Sequence, residues 1–101
     1  MEIPLITITP FDPATYLGSD EAVAEYMTAA LESGEPKIVS DALGVVARAR
    51  GMTQVARDSG VAREALYRGL SPSGNPEFAT VMKVMKALGL TLVAATARKV
   101  A

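Results

Sequence analysis

Apolar residues recur at three- and four-residue steps along much of this chain, and the breaks between them are sharp. After Ser19, the positions Val23, Tyr26, Met27, Ala30 and Leu31 share one helical face. Ser19 is a good N-cap, and the charges of Asp20 and Glu21 suit a helix N-terminus. This helix is expected to run to about Ser33 and stop at Gly34, with an acidic outer surface. Pro36 fits the first turn of a second helix, where its missing N–H is harmless. Ile38, Val39, Ala42, Leu43, Val46 and Ala49 then form a stripe as far as Arg50, and Gly51 suits a left-handed stop. Gly44 inside that helix costs about 1 kcal/mol relative to alanine, which points to close helix packing. Thr53 is expected to cap a short helix over 54–59, closed by Gly60, and another helix covers about 62–70. After the loop 71–74, Asn75 and Pro76 read as an N-cap and first helical residue. Phe78, Val81, Met82, Met85 and Leu88 then read as the core face of a last helix ending at Gly89.

Two segments follow a different pattern. Residues 3–8 are β-prone and apolar, with Pro4 favouring an edge position, and residues 90–95 alternate weakly. Both are expected to be short strands, and neither is stable alone, so each needs the other, a dimer mate or another protein. The expected organisation is an N-terminal extension over 1–18, a helical domain over 19–90 and a C-terminal strand or tail over 91–101.

The 101 residues suit one domain, which at this size buries roughly two-thirds of the surface its unfolded chain exposes. No apolar run approaches the roughly 18 residues needed to cross a bilayer. The first ten residues lack a basic region and a small-residue cleavage site, so they do not read as a signal peptide and a cytoplasmic setting is expected. The chain has no cysteine and no histidine. Disulfides and thiolate metal sites are thereby excluded, and the commonest general base and metal ligand is missing. Adjacent acids such as Asp20 and Glu21 have no base, nucleophile or phosphate loop beside them, so no enzyme activity, cofactor or metal site is expected.

A net charge of −1 argues against nucleic acid until its distribution is considered. Residues 1–41 hold eight acids against the single base Lys37, whereas residues 42–101 hold nine bases against three acids. Such asymmetry suggests two surfaces with different partners.

Residues 52–71 meet the packing demands of a helix-turn-helix. Ala56 is small where a second helix would cross, Gly60 tolerates positive φ in the turn, and Val61 plugs the angle after it. Val55 and Leu66 fill the space between. A bare αα-corner satisfies the same rules, so the outward residues decide the matter. Residues 48–68 carry five arginines against two acids and no lysine. Arginine suits planar recognition of bases and phosphates. In a DNA-binding motif the start of the second helix enters the major groove, here with Ala62, Arg63, Glu64, Tyr67 and Arg68. Arg63 or Arg68 can bond guanine bidentately. Tyr67 can bond a phosphate or pack on a thymine methyl, and Glu64 can accept from cytosine or orient an arginine. Thr53 and Gln54 can hold phosphate at the start of the supporting helix, and Arg48, Arg50 and Arg57 add charge nearby. Ala62 stands where a capping Ser or Thr is usual, at a loss of about 1 kcal/mol.

Those residues, with the run Gly74 to Leu90, resemble the Xre/Cro-repressor class. The segments Phe11–Leu17, Ala42–Gln54, Arg63–Arg68 and Gly74–Pro76, with the acidic helix after Ser19, further resemble the HigA-like addiction module antidotes, the antitoxins of type II toxin–antitoxin pairs. That resemblance implies an all-α, five-helix Xre/Cro-like helix-turn-helix domain, here with short β-strands at the two ends. It also implies a homodimer that binds double-stranded operator DNA and represses its own operon. The implied partner is a small, basic toxin of the RelE/ParE superfamily. The acidic residues Glu21, Glu25 and Glu32 are then candidates for toxin contact, and the arginine-bearing helix for DNA. A stand-alone phage-type regulator and a protein-interaction module without DNA binding remain the rival readings.

Overall fold

A computed structural model describes residues 17–97 and shows five helices there. They are α1 (Asp20–Glu32), α2 (Pro36–Arg50), α3 (Met52–Ser59), α4 (Arg63–Gly69) and α5 (Phe78–Ala87). The Ser19 Oγ accepts a 3.1 Å hydrogen bond from the Ala22 N–H, so α1 begins where its cap demands. Val23, Met27 and Ala30 are buried, while Tyr26 is half-buried and Leu31 lies at the exposed margin of the stripe. Pro36 opens α2 as expected. Helix α2 is central: Leu43, Val46 and Ala47 are buried between α1 on one side and α3 on the other.

Gly44 has the packing role its position implied. A Cβ there would lie 2.8 Å from the Leu70 carbonyl oxygen, so α2 touches backbone at the end of α4 directly. Gly51 has a positive φ of 112° but ψ of 114°, outside the left-handed helical basin. The cause is that α3 starts at the next residue, leaving Gly51 to reverse the chain alone. The expected Thr53 cap is therefore corrected: Thr53 lies inside α3, and Gly51 occupies the N-cap without a side-chain bond. Burial of Met52 in the core sets the earlier start and overrides the capping preference of Thr53.

The last helix also starts later than its sequence suggests. Asn75 and Pro76 precede α5, which begins at Phe78 with Glu77 at the N-cap. The segment before it is committed to packing under α4. A Cβ on Gly74 would come within 2.3 Å of the carbonyl oxygens of Arg68 and Gly69, and Pro76 abuts Gly69. Lys37 holds this loop from the α2 side, donating a 2.6 Å bond to the Pro72 carbonyl. Val84, Met85 and Leu88 carry α5 into the core. Phe78 and Met82 do not join them: Phe78 is 69% exposed and borders an open apolar groove with Leu31, Val39, Val81 and Leu92. The first turn of α5 projects past the core, so the helical period is right while the depth is wrong at that end.

No strand occurs among the described residues. The alternation at 90–95 instead places Leu90 and Leu92 half-buried on the core, and the Leu90 N–H bonds to the Met85 carbonyl at 2.9 Å. Among the described residues no strand stands beside it to complete a ladder, and the short segment follows the core. The strand expected at 3–8 lies outside the described residues.

Candidate nucleic-acid interface

Helices α3 and α4 are joined by a three-residue turn over 60–62. Gly60 takes φ 76° in the left-handed region, and its N–H bonds to the Ala56 carbonyl at 3.0 Å. Val55 and Leu66 are fully buried between the helices, with Ala56 and Val61 half-buried against them. Each residue assigned a packing place in the motif is buried or half-buried, and Gly60 supplies the positive φ. Leu70, buried just past α4, is an anchor that the helical pattern alone did not single out.

The outward residues all reach solvent. Thr53 and Gln54 on α3, Ala62 at the turn, and Arg63, Glu64, Tyr67 and Arg68 on α4 are exposed. At about 100° per residue, Arg63, Tyr67, Glu64 and Arg68 fan across one sector of roughly 140° that leaves out Leu66. The Arg63 guanidinium sits over the Tyr67 ring, 5.5 Å from its centroid. Among the described residues neither Arg63 nor Arg68 forms an ion pair. Gln54 is more committed: its amide donates to Asp58 Oδ1 at 2.9 Å and accepts from Arg57 Nη1 at 3.3 Å. These contacts follow three- and four-residue spacing and are visible in the sequence once a helix is assumed. The 3.8 Å pair between Arg50 and Asp20 is not, because it depends on α1 lying antiparallel to α2.

Glu21, Glu25 and Glu32 are exposed on α1. Steps of four and seven residues place them within about 40° of one another, a single acidic stripe along the helix. The exposed acids Glu21, Glu25 and Glu32 and the exposed arginines Arg63 and Arg68 thus stand on different helices, α1 and α4. Among the described residues there is no cluster of acids able to hold a metal ion, and no helix is long and apolar enough to cross a membrane.

Residues 7–96 match the family model described as "Probable addiction module antidote protein". The chain belongs to the addiction module antidote family. A Haemophilus influenzae relative is 52% identical over 80 residues, spanning 79% of this chain and 82% of its own, and carries the name "Uncharacterized protein". No solved structure matches the chain significantly. Membership in the antidote family gives the chain an antitoxin role and hence a toxin partner of some kind.

Proposed function

We propose that this antidote is the antitoxin of a type II pair in which the two charged faces have separate tasks. Helix α4, the second helix of an Xre/Cro-type motif, enters the major groove of operator DNA and represses the antidote's own operon. The acidic stripe on α1 meets a basic toxin of RelE/ParE type. The protein acts in the cytoplasm as a homodimer and carries out no chemistry itself. The observation that carries this reading is the exposed set Arg63, Tyr67 and Arg68 on a helix anchored by buried Leu66, a different helix from the one that carries the acidic stripe.

A second copy follows from the DNA reading, because one seven-residue helix contacts few base pairs and two half-sites multiply affinity. Its seat is the exposed pair Phe78 and Met82, one turn apart on α5 beside the apolar groove. Phe78→Glu is expected to shift the protein from dimer to monomer in analytical ultracentrifugation; a persistent dimer places the seam elsewhere.

The toxin face is tested with the product of the neighbouring reading frame. Replacing Glu21, Glu25 and Glu32 together by Lys is expected to weaken that complex about ten-fold or more at low salt, as reversed interfacial charges do. An unchanged Kd removes the acidic stripe from the interface.

A further inference from the structure

We propose that Tyr67 is a positioning residue for Arg63, and that Arg63 is the side chain reading a guanine in each half-site. This rests on the operator-binding reading and narrows it. The sequence alone leaves Arg63 and Arg68 as equal candidates and allows Tyr67 its own contact with DNA. The geometry separates them. Arg63 is the first residue of α4, the end that enters a major groove in this motif. Arg68 lies in the last turn and about 140° further round the axis, at the opposite margin of the outward face. Residues at the start of the second helix meet base edges and those further along lie nearer the backbone, so Arg63 has the base-reading place and Arg68 a backbone place.

Tyr67 is one turn after Arg63, and side chains on a helix lean towards its N-terminus. The ring therefore reaches back beneath the guanidinium, which lies 5.5 Å from the ring centroid. A cation–π contact of this kind takes up no hydrogen-bond acceptor, so the guanidinium N–H donors remain free to bond a base. A planar pair of these donors matches guanine O6 and N7. Among the described residues no carboxylate competes for Arg63. Binding then draws on a side chain already held in place rather than a freely rotating one. In this role Tyr67 acts through its ring, and its hydroxyl is dispensable for discrimination.

The experiment is a fluorescence-anisotropy panel using the operator duplex and versions with each base pair replaced in turn. Wild type, Arg63→Ala, Arg68→Ala, Tyr67→Ala and Tyr67→Phe are compared, with thermal melts confirming equal folding. Arg63→Ala is expected to erase about ten-fold or more discrimination at one G·C pair per half-site. Tyr67→Ala lowers discrimination at that same pair about two- to five-fold, as loss of an exposed cation–π contact implies. Tyr67→Phe retains it. Arg68→Ala weakens all duplexes alike and reduces the salt slope by about 1. Uniform weakening by Tyr67→Phe, or unchanged discrimination in Tyr67→Ala, overturns the positioning role. Loss of discrimination in Arg68→Ala but not Arg63→Ala overturns the choice of reader. An unmutated protein that treats operator and scrambled DNA alike defeats the operator reading itself, an outcome distinct from any mutant-specific change.

Discussion

Helices α1 and α4 are both surface helices, yet they are held in place by different means. Helix α1 spans 13 residues, has a side-chain cap from Ser19, and places Asp20 and Glu21 where the helix dipole favours negative charge. Helix α4 spans seven residues, has no side-chain cap at Ala62, and begins with a cation, Arg63, at the end where cations are disfavoured. Local rules are obeyed at the start of α1 and partly broken at the start of α4. What fixes α4 is tertiary: Leu66 and Leu70 are buried, Gly44 admits the Leu70 carbonyl, and Gly74 lies against the Arg68 and Gly69 carbonyls. Departures of this kind concentrate at functional surfaces, where residues are kept for a partner rather than for the element that carries them. A cation at the start of α4 opposes the helix dipole in the free protein and suits an anionic partner.

The largest expected effect tests this dependence on the core. Leu66→Ala should lower stability by about 2–5 kcal/mol, the usual cost of emptying a fully buried leucine site. Chemical denaturation followed by circular dichroism measures it. A loss well under 1 kcal/mol would mean that α4 does not depend on its buried face. A smaller, paired effect sharpens the contrast between the two helix starts. Ser19→Ala should cost about 1 kcal/mol, and Ala62→Ser should gain a similar amount by supplying the cap α4 lacks. The Ala62 backbone is already extended, at φ −60° and ψ 141°, and accommodates a capping residue. Equal and opposite shifts in midpoint denaturant support the distinction; two neutral changes would show that capping matters at neither end.

The parts of this fold that were legible in the sequence are those whose causes are local. Ser19, Pro36 and Gly60 each imposed a boundary or turn through their own backbone chemistry, and the structure places all three in those roles. The α3–α4 packing was legible because five positions at fixed spacing had to satisfy it together. Starts governed by distant contacts were not. Thr53 and Asn75 have the chemistry of caps, but Met52 is drawn into the core, and the loop around Gly74 is pinned beneath α4. Phe78 matched the helical period of Met85 and still lies outside the core, because periodicity gives direction and not depth. At the candidate interface, Thr53, Gln54, Ala62, Arg63, Glu64, Tyr67 and Arg68 are all exposed on α3, α4 or the turn between them, while Arg48 and Arg50 lie on α2. The Arg63–Tyr67 contact adds detail that side-chain geometry supplies.

The central claim is that α4 binds a specific DNA site, and fluorescence anisotropy tests it most directly. The probes are the duplex immediately upstream of this reading frame and a scrambled duplex of equal length, each at two salt concentrations. Wild type should prefer the upstream duplex, with affinity falling steeply as salt rises, and Arg63→Ala/Arg68→Ala should lose that preference. Equal, weak binding of wild type to both duplexes, unchanged in the double variant, would contradict the account.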